Sequence, residues 1–228
     1  MELDKSAPHI ALLFDNIAPK YDFLNHFLSL GIDKLWRKKL VREIAKRKPE
    51  KILDVATGTG DLAIALQRKT NAQITGIDIS EGMLAIAKTK SKNVHWQTAS
   101  AMSLPFSDNS FDTVAVSFGV RNFENLELGL QEMFRVLNCG GTLAILEFAM
   151  PTRFPIKQLY KFYFRRILPI IGRLFSKHKS AYNYLPASVD SFPQRNDFLA
   201  QLRNVGFENA RYRSLSCGIA ILYLAEKR

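Results

Sequence analysis

Cysteine is nearly missing from this sequence: Cys139 and Cys217 are the only two, and neither forms a CxxC pair or a cluster with the four histidines. That spacing excludes the common zinc sites and any disulfide framework, and fits the reduced thiols of a cytosolic protein. Long apolar runs are missing too. The longest uncharged apolar-rich stretch, Ser214 to Ala225, has 12 residues, short of the ~18 or more that a spanning helix needs. Met1 to His9 is polar and lacks the apolar core of a signal peptide. The expectation is a cytoplasmic protein without a transmembrane segment. No internal repeat or low-complexity segment is visible, and 12 glycines and 9 prolines are too few for a collagen-like chain.

Acid is in deficit. There are 21 Asp and Glu against 32 Lys and Arg, a net charge of +11, which usually suggests nucleic acid or an anionic membrane as partner. The excess is local. Lys34 to Lys51 holds nine basic residues and two acids, and Phe148 to Val189 holds eight basic residues and no acid. These stretches carry +15 between them, leaving the remainder of the chain at −4.

What is present is a core: 47% of 228 residues are apolar, enough for one α/β domain with appendages. His9 to Lys46 shows helical spacing (Ile10, Leu13, Phe14, Ile17, then Leu24, Phe27, Leu28) with a break expected near Pro19. From Lys51 short apolar runs alternate with helical segments. Strands are expected at Lys51–Ala56, Gln73–Asp78, Asn93–Thr98, Phe111–Phe118 and Thr142–Phe148, with helices at Asp61–Arg68, Glu81–Lys90 and Glu124–Leu137, the last capped by Gly140-Gly141. Such alternation implies right-handed crossovers and a parallel sheet. A helix at Gln194–Val205 precedes two runs, Phe207–Arg213 and Ser216–Ala225, too close together for a crossover and therefore an antiparallel hairpin. The reading is a single domain, 1–228. It comprises a helical cap (1–50), a cofactor-binding core (51–148), a basic and aromatic insertion (149–192) and a C-terminal helix with hairpin (193–228).

The first strand runs into Asp54-Val-Ala-Thr-Gly58-Thr59-Gly60-Asp61, where small residues let backbone approach a ligand at a helix start. The second ends at Asp78, 18 residues beyond Gly60, where an acid can accept the two hydroxyls of a ribose; Ser80 suits a helix N-cap. Nicotinamide-dependent oxidoreductases and methyltransferases share these features. Three others favour S-adenosylmethionine. Ala101-Met-Ser-Leu104-Pro105-Phe106-Ser-Asp-Asn-Ser-Phe111-Asp112 resembles the approach to strand four in class I methyltransferases, the final hairpin resembles theirs, and no second substrate domain follows. Nucleic acid loses weight as a substrate. Ser117-Phe118-Gly119-Val120-Arg121-Asn122 stands where base-amino methyltransferases carry a Pro-Pro-aromatic motif, and neither cysteine is placed as the nucleophile a pyrimidine C5 enzyme needs.

Six segments stand in order along the chain: Tyr21-Asp22-Phe-Leu24-Asn25-His-Phe-Leu28-Ser29-Leu-Gly31-Ile-Asp33-Lys-Leu-Trp36, Gly58-Thr59-Gly60-Asp61, Ser117-Phe118-Gly119-Val-Arg121-Asn122, Arg135-Val136-Leu137-Asn138-Cys139-Gly140-Gly141 leading to Glu147-Phe148, Tyr182-Asn-Tyr184-Leu185-Pro-Ala-Ser188 and Phe192-Pro193. Through them nearly the whole chain resembles the ubiquinone/menaquinone biosynthesis C-methyltransferases. Departures are Leu24 where the family commonly has Met, Asp33 for His, Asn138-Cys139 for a basic residue and Pro, Ala149 for Ser, and Ser100 for an acid or amide. The resemblance implies a class I S-adenosylmethionine-dependent methyltransferase fold, Rossmann-like, with a seven-stranded mostly parallel sheet and an antiparallel last strand. It also implies transfer of a methyl group to a ring carbon of a prenylated quinol. The leaning is to demethylmenaquinol, with a methoxybenzoquinol of ubiquinone biosynthesis as the alternative.

It implies, further, that Gly58, Thr59 and Gly60 meet the methionine end of the cofactor, Asp78 the ribose, Ser100 and Ala101 the adenine, and Ser117 the rim beside the sulfonium. Arg121 would stabilise the quinolate or activate a water, with Asn122, Tyr21, Asp22 and Asn25 completing the polar end of the quinol pocket. A structural pairing of Arg121 with Glu124 is the competing reading. In the acid-free insertion, Phe154, Tyr160, Phe162, Tyr163, Phe164, Ile167, Leu168, Ile170, Ile171, Leu174 and Phe175 interleave with Lys157, Lys161, Arg165, Arg166, Arg173 and Lys177. That mix suits a surface lying on anionic lipid or a lid over the site. Self-association is left open.

Overall fold

The computed structural model describes residues 3–163, 166 and 179–228. Of the insertion residues named above, Phe164, Arg165, Ile167, Leu168, Ile170, Ile171, Arg173, Leu174, Phe175 and Lys177 lie outside the described residues, as do the side chains of Leu24, Phe27, Leu28 and Tyr182. Seven strands, β1 (Lys51–Val55), β2 (Gln73–Asp78), β3 (His95–Thr98), β4 (Phe111–Ser117), β5 (Leu137–Phe148), β6 (Glu208–Leu215) and β7 (Ala220–Glu226), form one sheet in the order β3-β2-β1-β4-β5-β7-β6. The first five pair in parallel, and β7 runs antiparallel to both β5 and β6. The expected hairpin is therefore present, and its last strand lies inside the sheet, between β5 and β6.

Alternate residues of the central strands feed two cores, as the period of two in a strand requires. Leu53, Val55, Val114, Val116, Leu143, Ile145, Ile221 and Tyr223 face one layer, where α5 (Leu126–Val136) brings Leu130 and Met133 and α8 (Asn196–Val205) brings Phe198 and Leu202. Ile52, Ala115, Ala144, Leu146 and Leu222 face the other, against Trp36, Leu40 and Ile44 of α2 (Ile32–Ala45) and Leu62 and Leu66 of α3 (Asp61–Gln67). The remaining helices are α1 (Ala7–Leu28), α4 (Glu81–Lys90), α6 (Ile156–Phe162) and α7 (Lys179–Ser191).

Two expectations are corrected. The break in the helical cap falls at Leu30 and Gly31, both with positive φ (53° and 73°), and α1 continues through Pro19. Proline inside a helix removes the hydrogen bond to the carbonyl four residues earlier, here Asp15. The same Asp15 anchors that turn from outside, since its Oδ1 accepts from Ser80 Oγ (2.5 Å) and Gly82 N (2.9 Å) at the start of α4. Second, Gly140-Gly141 does not cap a helix. α5 ends at Val136, and β5 begins at Leu137 with an irregularity: Leu137 pairs with Phe111 and Thr142 with Thr113. The looped-out residues are held by the C-terminal segment, through Gly140 N to Lys227 O (2.7 Å) and Lys227 N to Gly141 O (3.1 Å).

Candidate active site

The strand order reverses between β1 and β4, and in open α/β sheets the crevice beyond the carboxyl ends at such a point receives the ligand. Here it is a cleft of about 960 Å³, partly open to solvent, walled by the segments following β1, β2, β3 and β4 and roofed by α1 and the segment before it. At the end of β1, Asp54 has no exposed surface. Its Oδ2 accepts from Thr57 Oγ1 (2.6 Å) while Oδ1 has no hydrogen-bond partner among the described residues. Burial, reinforced by the neighbouring Asp78 charge, pushes its pKa up to about 7 against the hydrogen bonds that lower it.

Asp78, at the end of β2, ties the glycine loop to α4. Gly58 N donates to its Oδ2 (2.8 Å) and Ser80 N to its Oδ1 (2.9 Å). Burial raises its pKa too, more than these N–H groups lower it. Each oxygen has used one acceptor site, and a carboxylate oxygen offers about two. Ser80 caps α4 as expected, accepting from Met83 N (3.0 Å). Gly58 and Thr59 line the cleft; Thr59 Oγ1 donates to Asp22 Oδ1 at 2.5 Å. Gly60 is not a lining residue and has a packing reason for lacking a side chain. A Cβ there would sit 2.5 Å from the Trp96 ring, and one on Gly76 would sit 2.6 Å from the same ring.

Beyond β2 and β3 the wall is apolar: Ile79, Met83, Ala99, Ala101 and Met102 line it. Ala101 is thus a lining residue, whereas Ser100 is not, its Oγ accepting from Met102 N (3.2 Å). At the end of β4, Ser117 lines the cleft with a buried Oγ that has no partner among the described residues.

Tyr21 and Asn25 of α1 and Asn122 of the short 3-10 turn (Val120–Asn122) form the polar part of the opposite end, among Ile10, Phe14, Phe118 and Phe123. Tyr21 is hydrogen-bonded to Asn25, and burial raises its pKa more than the Arg121 charge lowers it. Asn122 Oδ1 is buried without a partner among the described residues. Arg121 stands one layer back. Its Nη1 donates to Glu147 Oε1 (2.8 Å) and to Phe118 O, and its guanidinium lies over the Phe148 ring, 5.4 Å from the centroid. The acid it pairs with is the fully buried Glu147 of β5, not Glu124, which instead accepts from Ala7 N (3.1 Å). Asp22 lies outside the cleft wall, in an ion network with Lys90 (2.5 Å), which also holds Asp61 (2.9 Å). Asp61 in turn meets Arg37 (3.2 Å), and Arg37 meets Asp33 (3.3 Å).

Four cleft or near-cleft residues were not picked out from the sequence: Asp54, Arg37, Lys5 and Glu147. Asp54 had a readable signal, an acid closing an apolar strand directly before a glycine loop. Arg37 and Lys5 had none, because each reaches the cleft from a helical cap whose docking only the tertiary structure shows.

A model of the ubiE/COQ5 methyltransferase family matches residues 2–227. The demethylmenaquinone methyltransferase of Bacteroides fragilis is 45% identical over 98% of this chain and 94% of its own length. The ubiquinone/menaquinone biosynthesis C-methyltransferase of Geotalea daltonii is 45% identical over 99% of both. Among solved structures, an S-adenosylmethionine-dependent methyltransferase from Thermotoga maritima superposes with a TM-score of 0.66 at 16% identity, covering 96% of this chain and all of that one. Dinucleotide-binding sheets follow the order 3-2-1-4-5-6, whereas here the antiparallel β7 separates β5 from β6. With sheet, glycine loop and full-length match in agreement, this chain belongs to the ubiE/COQ5 methyltransferase family.

Proposed function

We propose that this protein methylates a ring carbon of a prenylated quinol, converting demethylmenaquinol to menaquinol with S-adenosylmethionine as donor. Family membership over the full length of the chain carries the reading, and the acceptor comes from the names its relatives bear. The residues present fit the donor. Asp54 Oδ1, Ser117 Oγ and Arg37 Nε are buried at the cleft without hydrogen-bond partners among the described residues, and groups so placed call for a polar ligand. An ammonium, a carboxylate and two ribose hydroxyls suit them together with Asp78, while the wall of Ile79, Met83, Ala99, Ala101 and Met102 suits adenine. When bound, S-adenosylmethionine supplies a methyl group made electrophilic by its sulfonium.

The protein's own work is positioning and charge control. A quinol hydroxyl is phenol-like, with a pKa near ~10, and losing its proton enriches the adjacent ring carbon in electrons. Asn122, Tyr21 and Asn25 provide hydrogen-bonding groups for the quinol oxygens, and Ile10, Phe14, Phe118 and Phe123 offer the ring an apolar wall. Arg121 acts from behind, fixed by Glu147, as a buried cation whose field favours the phenolate. Asp22 serves indirectly, holding Thr59 and Lys90. The exposed Phe154, Leu159 and Phe162 beside Lys157 and Lys161 support peripheral contact of α6 with anionic lipid, where such a substrate resides. Incubating the purified protein with a labelled methyl donor and either demethylmenaquinol or a demethylated methoxybenzoquinol tests the assignment. Label is expected in the naphthoquinol product; transfer to neither ring would overturn the reading, and transfer to the benzoquinol alone would favour the ubiquinone alternative.

A further inference from the structure

The acceptor end of the cleft holds a cation that the mechanism above leaves idle. Lys5 lies on the segment before α1, half-buried, and its side chain lines the cleft. The segment is turned locally by Ser6 N donating to Asp4 Oδ1 (2.9 Å) and fastened to the fold by Ala7 N donating to Glu124 Oε2 (3.1 Å). Lys5 forms no ion pair among the described residues. The charged groups near it are Arg121 and Glu147, which already satisfy each other at 2.8 Å. Glu124 is engaged by the Ala7 amide, and Asp4 by Ser6 and by His9 at 3.7 Å. Three tyrosines, Tyr21 of α1, Tyr160 of α6 and Tyr184 of α7, surround the same Arg121 charge, and burial raises the pKa of each. They are neutral and supply no counter-charge at physiological pH.

An ammonium held out of bulk water beside a like charge is poorly stabilised until an anion arrives. Burial, followed by the Arg121 charge, indeed lowers the Lys5 pKa. The anion that belongs at this end is the ionised acceptor. The carboxylate of the donor has its own cation at the other end, where Arg37 stands beside Asp61 and the glycine loop with an unpaired Nε.

We propose that Lys5 is a catalytic residue that meets the quinolate oxygen directly, lowering the proton affinity of the quinol hydroxyl, whose proton passes to bulk water. It holds the negative charge while the ring carbon takes the methyl group, the methyl C–S bond breaks and S-adenosylhomocysteine leaves; loss of the ring C–H proton to water, with the oxygen reprotonated, then restores the aromatic quinol. This rests on the quinol-methylating reading. Asn122, with its unpartnered Oδ1, lines the same end and is placed to orient the neighbouring hydroxyl. The fastening of the N-terminal segment to Glu124 is then what keeps the cation over the acceptor.

The test compares wild type with Lys5→Met and Lys5→Arg, using a short-chain reduced demethylnaphthoquinone as acceptor. At pH 7 Lys5→Met is expected to lose about 100-fold in kcat, the scale seen when one oxyanion-stabilising donor is removed. Its affinity for S-adenosylmethionine, by calorimetry, is expected to stay within about twofold. The deficit should shrink as pH rises toward ~10, where the quinol ionises without help, and Lys5→Arg should recover about tenfold over Lys5→Met. An equilibrium probe separates charge recognition from turnover: 4-nitro-1-naphthol, whose phenolate absorbs in the visible, should ionise about 1 pH unit lower when bound to wild type than in water, and lose that shift in Lys5→Met. A Lys5→Met enzyme with wild-type kcat, or with a deficit independent of pH and an unchanged probe pKa, overturns the role for Lys5. Wild type that binds the donor and methylates no quinol removes the underlying reading itself.

Discussion

A carboxylate with no exposed surface at the end of a central strand must either give up its charge or find a cation. Asp54 is in that position, with burial pushing its pKa from 3.8 up to about 7. For an acid whose pKa is raised on folding, the folded state binds the proton more tightly. The stabilising effect is complete at low pH and is lost as pH rises from the unfolded value near 3.8 to the folded value near 7. At ~1.36 kcal/mol per unit the full loss is at most about 4 kcal/mol. Asp54→Asn keeps an acceptor for Thr57 Oγ1 and removes the titration. Its stability by urea denaturation should therefore exceed that of wild type above pH 7 and converge with it, or fall below, near pH 4. Donor affinity should move the other way. A cationic ligand favours the ionised carboxylate, so wild-type binding at pH 6 should release a proton, measurable as buffer-dependent heat, and Asp54→Asn should bind at least tenfold more weakly with no such release. Equal pH profiles for the two proteins would show that Asp54 is ionised in the free enzyme.

Helix α1 is attached to the cofactor loop through charge as well as packing. Lys90 of α4 bridges Asp22 of α1 and Asp61 of α3, and Thr59 donates to the same Asp22. Each of these ion-pairing side chains is roughly a quarter to a third exposed, so individual pairs are worth ~1 kcal/mol or less. The consequence of Lys90→Met is expected to be local. Global stability should fall by under ~1 kcal/mol, while Asp22 and Asp61 lose the cation between them, α1 amides exchange faster and donor affinity drops about fivefold. Hydrogen exchange with and without S-adenosylmethionine measures this, and unchanged α1 protection together with unchanged affinity would show that apolar packing alone seats the helix. The same contacts explain what was legible beforehand. Strands and crossovers could be read because each carries its own apolar period and turn residues, from Lys51–Val55 through the hairpin at Ser216–Gly218. Pro19 was misread because local propensity yields to the Asp15 contact with Ser80 and Gly82, 65 and 67 residues away. Gly140-Gly141 was misread because the partner that holds this loop open is Lys227, at the other end of the chain. In the site, Thr59, Asp78, Ala101 and Ser117, each named from a short motif, line one cleft. Lys5 and Arg37 carry no motif, and Glu147 stands in one that assigns it no role; only docking of the cap and pairing of β5 bring them to or near the cleft.

At the scale of the whole molecule the net charge of +11 divides between a helical cap, an insertion and a slightly acidic remainder. No described helix is long and apolar enough to cross a membrane; the quinol-methylating reading predicts instead a surface that meets the lipid. Helix α6 offers such a surface. Tyr160 is turned inward with 6% exposure, while Phe154, Leu159 and Phe162 are 81%, 61% and 60% exposed, next to Lys157 and Lys161. Exposed aromatic and aliphatic side chains gain by entering the headgroup boundary, and each basic residue near an anionic surface adds ~1 kcal/mol. The inward Tyr160 is close enough to feel the Arg121 charge, so on the quinol-methylating reading one element would serve both as lid and as membrane contact. Flotation with phosphatidylglycerol-containing vesicles should show binding at low salt that is mostly lost in 1 M salt, where the screening length is about 3 Å. Neutral phosphatidylcholine vesicles should bind poorly. Leu159→Glu/Phe162→Glu should abolish flotation, leave turnover of a short-chain soluble quinol within about twofold, and slow turnover of a long-prenyl quinol presented in vesicles. Undiminished flotation of the double variant would place the contact elsewhere, and equal loss on both substrates would assign these side chains to the active site rather than to the lipid.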